Sequence, residues 1–303
     1  MASLGWQVIR ALFGVGERFV PGIAGRAAFE LFARTPSPRK QTHGERKAVS
    51  RAAKFMQSAR HHRLTVGSDC VAVHEFRPEA DADEAGRVLV VHGWRSRTEY
   101  MKAIVEGFRA GGFRVFSIDL PGHGQSSGRR LTVMKAVEAL ATSAQWFGPF
   151  DAVAGHSFGG AVAVAAAAGT VKTAAPLAAG RLILIAAPNS LADIVDGFSR
   201  EVGVGPHSRQ AMVARIERLA GRDLQDFSGA GQLARLPIPT LVVHAPDDRE
   251  VPADDARDYG AAGRHVTMHW APGLGHRRIL SNPDVVSRVV SFAGTQGRLA
   301  IAS

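Results

Sequence analysis

The alternation of two kinds of segment from residue 64 onward most constrains how this chain can fold. Short apolar runs rich in Val and Ile alternate with Ala-rich segments of helical period. Continuous apolar runs such as residues 88–91 are typical of strands buried on both faces of a sheet. Strands alternating with helices predict an α/β fold with a mostly parallel, doubly wound sheet. The predicted strands are residues 65–76 (a hairpin), 88–91, 113–118, 150–154, 182–186, 240–244 and 265–270.

One interval interrupts this alternation. About 50 residues between Pro188 and Pro237 carry helical patterns and no strand pattern. They predict a short helical cap insertion over about residues 189–237. We therefore expect a basic helical N-terminal extension over residues 1–63, and an α/β domain over residues 64–303 that contains the insertion.

The positive charge of the chain is concentrated in the predicted extension. The formal net charge is +10, and residues 1–63 hold twelve Lys and Arg against three Asp and Glu. The remaining residues hold 25 basic and 24 acidic side chains, so the main domain is nearly neutral. A nucleic-acid enzyme more often carries a basic stripe on its main domain. We therefore predict no nucleic-acid partner.

Apolar residues of the extension, among them Val8, Leu12 and Phe19, recur at helical spacing, and Pro21-Gly22 divides the pattern into two helices. Two alternatives stay open. The helices either pack on the main domain, or they rest as an amphipathic segment on an anionic membrane. The chain has one cysteine, Cys70, and neither an export signal nor an apolar run long enough to span a membrane. These features predict a cytoplasmic protein, with peripheral binding to a membrane as the alternative.

The sequence GHSFGG at residues 155–160 lies between a predicted strand and a predicted helix. This is the context of a nucleophile elbow, a tight turn that presents the Ser157 hydroxyl at a helix N-terminus. Gly155 and Gly159 are expected there because a side chain at either position would clash in so tight a turn. Ser157 is therefore the candidate nucleophile.

A serine nucleophile needs a base, and the base needs a carboxylate that orients it. His276 follows the last predicted strand within Gly-Leu-Gly-His, and two aspartates, Asp247 and Asp248, follow the strand at 240–244. All of these positions come after the carboxyl ends of predicted parallel strands, where sites form in open α/β sheets. The pattern predicts a Ser-His-Asp arrangement, with either aspartate as the acid.

These motifs resemble those of serine hydrolases of the α/β-hydrolase superfamily, of the esterase and lysophospholipase type, over about residues 65–295. His92-Gly93-Trp94 resembles the oxyanion loop of that family, and residues 119–126, DLPGHGQS, resemble a second loop of it. The order nucleophile, acid, base is also the order in that family. In that family the catalytic aspartate lies three residues before a Val-Pro pair. Counting back from Val251-Pro252 in this sequence favours Asp248 over Asp247.

The resemblance implies an oxyanion hole made by the backbone N–H groups of Trp94 and Phe158, and no metal or organic cofactor. It implies hydrolysis of a small carboxylic ester through an acyl-enzyme, and the apolar residues of the insertion suggest an apolar acyl group. Alternatives on the same residues are a thioesterase or a lysophospholipase or monoacylglycerol lipase. A non-catalytic ligand-binding relative is the alternative from another class.

Several other polar residues have structural interpretations. Asp119 and His123 lie in a tight loop and are expected to hold it by hydrogen bonds. His61, His62 and His74 lack partners at metal-ligand spacing and are expected at the surface.

Overall fold

The computed structural model describes residues 4–36, 42–78 and 84–294. Contacts between Cα atoms divide the chain into two compact units. The described residues within Met1–Arg34 and Ser190–Ser228 form one, here called the helical unit. Those within Thr35–Asn189 and Gly229–Ser303 form the other, here called the sheet unit.

The sheet unit contains one eight-stranded sheet with the strand order β1-β2-β4-β3-β5-β6-β7-β8. The pairs β1–β2 and β2–β4 are antiparallel, and every other neighbouring pair is parallel. The predicted mostly parallel α/β sheet is thereby confirmed. The strands are β1 (Arg60–Val66), β2 (Asp69–Phe76), β3 (Gly86–Val91), β4 (Phe113–Asp119), β5 (Ala152–His156), β6 (Leu182–Ile185), β7 (Thr240–His244) and β8 (Val266–Trp270).

The central strands are buried along most or all of their length, which explains their continuous apolar sequences. Every residue of β5, β6 and β7 is buried, and so is the run from Val88 to Val91 in β3. The edge strands β1 and β8 expose much of their length instead. Helices on the sheet faces remove the central strands from water, which is the main favourable contribution to folding.

Thirteen α-helices occur in the described residues. Several begin where the sequence supplies a capping side chain: Thr132 accepts from the Lys135 N–H before α6, and Ser190 accepts from the Asp193 N–H before α8. The helices are α1 (Leu4–Phe19), α2 (Pro21–Ala33), α3 (His43–Arg51), α4 (Ala53–Gln57), α5 (Lys102–Ala110), α6 (Val133–Phe147), α7 (Phe158–Ala167), α8 (Leu191–Val202), α9 (Pro206–Ala220), α10 (Gly229–Leu233), α11 (Ala253–Ala261), α12 (Gly275–Arg278) and α13 (Pro283–Gly294).

The helical unit brings the N-terminal helices α1 and α2 together with α8 and α9. Helix α2 lies close against α9, because Gly25 has no side chain: a Cβ there would come within 2.6 Å of the Ala211 Cβ. The rings of Phe32 and Phe198 meet edge to face with centroids 5.1 Å apart. The apolar side of α2 is therefore covered by helices of the predicted insertion.

The predicted domain limits at residues 63 and 64 stay a proposal about how the chain is organised. Strand β1 begins at Arg60, so the last residues of the predicted extension lie in the sheet. None of the helices in the described residues is long and apolar enough to cross a membrane.

Candidate active site

Ser157 lies at the turn between β5 and α7. Its backbone has φ 52° and ψ −127°, in a region that residues with a Cβ rarely adopt. The Ser157 N–H donates a hydrogen bond to the carbonyl oxygen of Ile185 at 2.8 Å, which connects the turn to strand β6. The side chain is thus presented at the N-terminus of α7, where backbone N–H groups lack helical partners.

The two glycines beside Ser157 allow the chain to make this turn. A Cβ at Gly155 would lie 2.5 Å from the Gly160 nitrogen, and one at Gly159 would lie 2.5 Å from the carbonyl oxygens of Val91 and His92. Atoms of the backbone cannot yield to such contacts. The expected clash at both glycines is confirmed.

His276 and Asp248 are joined by a hydrogen bond. The Nδ1 of His276 lies 2.8 Å from Oδ2 of Asp248, whose side chain is fully buried. The other carboxylate oxygen, Oδ1, accepts from the N–H groups of Glu250 at 2.8 Å and Val251 at 3.0 Å. Burial raises the pKa of Asp248, but the hydrogen bonds from His276, Val251 and Glu250 outweigh burial and hold that pKa below its ordinary value. Asp248 therefore stays ionised at neutral pH.

Asp247 has a different partner from its neighbour. Its Oδ1 accepts from the Gly273 N–H at 2.7 Å, and its side chain is exposed. This bond connects the turn after β7 to the loop that carries His276. Of the two candidate acids, Asp248 touches the imidazole and Asp247 holds the loop.

His156, the residue before Ser157, connects the elbow to His276. Its Nε2 lies 2.9 Å from the carbonyl oxygen of His276 and donates to it, and the two rings are 4.7 Å apart. Burial and the neighbouring His276 lower the pKa of His156 to about 3, so the ring is neutral. Sequence reasoning missed this residue, because no local pattern indicates a partner 120 positions away.

Trp94 and Phe158, the predicted oxyanion residues, lie side by side. Their rings meet edge to face with centroids 5.8 Å apart. The loop that carries Trp94 runs against the elbow, since a Cβ at Gly93 would lie 2.9 Å from the Ser157 Cβ. Within the described part of the chain, the backbone N–H groups of Trp94 and Phe158 have no hydrogen-bond acceptor.

Two buried histidines hold the Trp94 loop: His92, which belongs to the loop motif identified from the sequence, and His123, which sequence reasoning assigned only to the loop after β4. The Nε2 of His92 accepts from the Leu120 N–H at 3.0 Å, and its Nδ1 donates to the Gly93 carbonyl at 2.7 Å. In return, the Nε2 of His123 accepts from the Arg95 N–H at 3.1 Å. The loop after β3 and the loop after β4 are thus connected in both directions.

His123 can accept that bond only while it is neutral. Its Nδ1 donates to the Pro121 carbonyl at 3.1 Å, which leaves the Nε2 lone pair for Arg95. Burial and the nearby His92 lower the pKa of His123 to about 3. The expectation that His123 holds its loop is confirmed, and the bond to Arg95 extends that role to the Trp94 loop.

Asp119 is the buried centre of the loop after β4. Its carboxylate accepts from the N–H groups of Thr98 at 2.9 Å and Gln125 at 2.8 Å, as expected for a loop-fixing residue. His74 was expected at the surface, and this is wrong. Its side chain is fully buried, with Nε2 3.1 Å from Oδ2 of Asp119, because β2 pairs with β4 and places His74 opposite Ser117.

Comparison with known proteins decides the family. The sequence profile of the alpha/beta hydrolase family matches residues 88–289, well over half of the chain. This chain belongs to the alpha/beta hydrolase family. No curated protein sequence matches it.

Solved structures of other alpha/beta hydrolases resemble this one. Est1E from Butyrivibrio proteoclasticus, solved with ferulic acid bound, is 18% identical, with a TM-score of 0.58 over 76% of this chain and 97% of its own. A membrane phospholipase A described as a bacterial virulence factor is 17% identical, with a TM-score of 0.59 over 95% and 96%. The thioesterase domain from the curacin biosynthetic pathway is 16% identical, with a TM-score of 0.53 over 78% and 99%. At these identities the likeness shows a shared fold.

The described residues contain no group of three or more His, Cys, Asp or Glu side chains that could hold a metal ion. The site of this alpha/beta hydrolase contains a strained serine, a histidine paired with a buried carboxylate, and the N–H groups of Trp94 and Phe158, which have no acceptor among the described residues. These are the components of nucleophilic acyl transfer.

Proposed function

We propose that this protein hydrolyses carboxylic esters through an acyl-enzyme on Ser157, with His276 as the general base and Asp248 as its orienting carboxylate. The observation that carries the proposal is the 2.8 Å hydrogen bond between His276 and Asp248, at a site that His156 joins to the elbow. Membership of a hydrolase family supports the reaction class.

In the first half of the reaction, the Ser157 hydroxyl attacks the acyl carbon and His276 Nε2 takes its proton. Asp248 keeps the other proton of the imidazole on Nδ1, so that Nε2 is the nitrogen with a free lone pair. As the charge on His276 rises, the ionised carboxylate beside it stabilises the imidazolium. His276 then returns the proton to the leaving alcohol.

The carbonyl oxygen becomes negative as the tetrahedral intermediate forms. The N–H groups of Trp94 and Phe158 would donate to this oxygen, and each such donor contributes roughly 3 kcal/mol to transition-state stabilisation. In the second half, His276 activates a water molecule that attacks the acyl-enzyme and releases the acid. No step requires a metal or an organic cofactor.

The same residues support two further leaving groups. A thioesterase would release a thiol, and a lysophospholipase or monoacylglycerol lipase would release a glycerol derivative. The thioesterase domain and the phospholipase A among the structural neighbours favour these candidates. We propose an apolar acyl group in either case, because the neighbours include a phospholipase and a putative lipase.

We also propose a cytoplasmic protein that makes peripheral contact with an anionic membrane through residues 1–63. Their basic residues exceed their acidic residues by nine, and anionic lipid attracts Lys and Arg. The membrane phospholipase A resembles 95% of the chain. The single Cys70 is a free thiol, which suits a reducing compartment.

The decisive experiment compares Ser157→Ala with the wild type on p-nitrophenyl esters from acetate to palmitate, an acyl-CoA and a lysophospholipid. We expect kcat on the best substrate to fall by about 10⁶ with an unchanged melting temperature. Ser50→Ala, at an exposed serine of α3, is the matched control. A fluorophosphonate probe should label the wild type and not Ser157→Ala. A wild type that neither labels nor turns over any of these substrates would favour the non-catalytic alternative.

A further inference from the structure

Helix α1 has two apolar faces, and the helical unit covers only one of them. Phe13 is buried on the covered face. On the other face, Val8, Leu12, Val15 and Phe19 follow each other at steps of four, three and four residues, which places them on one side of a helix. Their exposed fractions are 51%, 66%, 60% and 71%.

Two more large apolar residues are exposed directly after the end of α1. Val20 and Ile23 are 45% and 66% exposed. We call the six residues the apolar stripe: Val8, Leu12, Val15, Phe19, Val20 and Ile23. Nine large apolar side chains are exposed in the described part of the chain, and six of them belong to this stripe. Single exposed apolar residues need no explanation, but a concentration of this kind marks a binding surface.

Basic residues outnumber acidic residues around the stripe. Helices α1 and α2 contain Arg10, Arg18 and Arg26, and the acidic residues Glu17 and Glu30. The Glu30 carboxylate lies 3.7 Å from the Arg215 guanidinium of α9. Arg18 and Arg26 are exposed. Arg18 lies with its guanidinium 5.9 Å from the centre of the Phe19 ring, at the edge of the stripe.

The negative charge of Glu17 is used inside the helical unit. Its carboxylate accepts from the N–H groups of His207 and Ser208, both at 2.9 Å, at the N-terminus of α9. The hydrogen bonds from Ser208 and His207 lower the pKa of Glu17 to about 2, as expected for an anion at a helix N-terminus. The surface around the stripe therefore presents apolar side chains and positive charge.

We propose that the apolar stripe is the surface that enters an anionic phospholipid membrane, with Arg18 and Arg26 at the level of the lipid phosphates. Helices with an apolar face and flanking arginines lie in the membrane interface in this way. A second copy of the chain fits less well. An interface between two copies through the stripe would join two surfaces of the same positive charge, which Arg18 and Arg26 carry.

This inference narrows the membrane contact proposed for residues 1–63 to one face of α1 and the start of α2. It rests on that proposed contact and is independent of ester hydrolysis. The segment around α3 then contributes only electrostatic attraction to membrane binding, because α3 has no comparable row of exposed large apolar residues.

The test is co-sedimentation of the full chain with vesicles of phosphatidylglycerol and phosphatidylcholine. We expect the double variant Leu12→Gln/Phe19→Gln to bind at least about tenfold more weakly than the wild type, because it removes two large apolar side chains from the lipid-facing surface. Both residues are exposed, so the melting temperature should not change. Leu219→Gln is the matched control, since Leu219 is 51% exposed on α9 and lies outside the stripe.

A second pair of variants tests the charge. Arg18→Gln and Arg26→Gln should each weaken binding to anionic vesicles about fivefold, and much less to pure phosphatidylcholine. The proposal is overturned if the wild type does not bind vesicles, or if Leu219→Gln weakens binding as much as the stripe variant does. It is also overturned if the stripe variant only converts a dimer to a monomer in sedimentation velocity. Hydrolysis of a soluble short-chain ester, measured on the same variants, reports separately on the esterase proposal.

Discussion

The two adjacent aspartates after β7 allow a sharp test of the proposed triad. The perturbation is Asp248→Asn, which changes one carboxylate oxygen to an amide nitrogen and leaves the size of the side chain unchanged. Two backbone N–H groups, those of Glu250 and Val251, already donate to Oδ1 of Asp248. The amide oxygen of an asparagine must occupy that position, because an NH₂ group cannot accept. The NH₂ group is then directed at His276 Nδ1.

This orientation determines the tautomer of the histidine. Facing a donor, Nδ1 of His276 must carry the lone pair, so the proton moves to Nε2 and the ring can no longer accept the proton of Ser157. A wrong tautomer of this kind lowers kcat by about 10³ to 10⁴. At 1.36 kcal/mol per factor of ten, the loss of transition-state stabilisation is about 4 to 5.5 kcal/mol.

Asp247→Asn is the matched control at the next residue. Its Oδ1 accepts from the Gly273 N–H, and an asparagine oxygen can accept the same bond, so kcat should fall by less than about tenfold. The assay is kcat and KM on a short-chain p-nitrophenyl ester, with the melting temperature of each variant. A kcat for Asp248→Asn within tenfold of the wild type, or a larger loss in Asp247→Asn, would refute the reasoning.

Three further predictions follow from the residues around the elbow. His123→Ala removes the acceptor for the Arg95 N–H, so kcat should fall about 10- to 100-fold with little change in KM. His123→Gln supplies an acceptor again and should recover much of the lost kcat. Equal kcat values in the two variants would contradict this reasoning. The pKa of about 3 for buried His156 lies below that of an unfolded histidine, so the unfolded state binds more protons between about pH 3 and 6.5. The contribution of His156 to the free energy of unfolding should therefore be complete above that range and fall with decreasing pH by up to roughly 1.4 kcal/mol per pH unit. In urea unfolding, the difference in the free energy of unfolding between pH 7 and pH 5 should be smaller for His156→Gln than for the wild type. Gly159→Ala should lower the melting temperature by more than about 10 °C because its Cβ would meet backbone oxygens, whereas Gly197→Ala in α8, with open space at its Cβ, should leave it unchanged or raise it.

The sheet could be predicted best where strands are buried on both faces. Strand β7 has the predicted bounds, residues 240–244, because its apolar centre at residues 241–243 is typical of a strand that is buried on both faces. Strand β5 was predicted at residues 150–154 and lies at Ala152–His156. Its last residues, Gly155 and His156, do not resemble strand residues. They are in the strand because they pair with Leu184 and Ile185 of β6, and such pairing is not visible in a local pattern.

The N-terminal helices show a second limit of sequence patterns. The helical spacing of the apolar residues predicted both helices. Helix α1 is apolar on two sides, however, and the sequence alone does not indicate which side is covered. That depends on α8 and α9, which lie more than 150 residues further along the chain. In the structure the side of Phe13 is buried, while Leu12 and Phe19 are exposed.

The residues of the candidate site that belong to sequence motifs could be predicted. The sequence placed Ser157, Asp248 and His276 in the loops after β5, β7 and β8, and the structure brings Asp248 and His276 into contact. The role of His156 was not predictable, because its bond to His276 spans 120 positions. A single histidine has no period that would reveal such a partner.

Among the described residues, three residues other than glycine have positive φ angles, and all three follow the carboxyl ends of central strands. Arg95 (φ 54°), Ser157 (φ 52°) and Ala186 (φ 49°) follow β3, β5 and β6, which are neighbours in the sheet. Each such conformation costs about 1 to 3 kcal/mol relative to a relaxed backbone. Glycine would adopt all three without strain, so substitution by glycine at these positions would favour a more stable fold. At Ser157 the same substitution would remove the nucleophile. Selection for thermal stability and selection for activity therefore act in opposite directions at this residue.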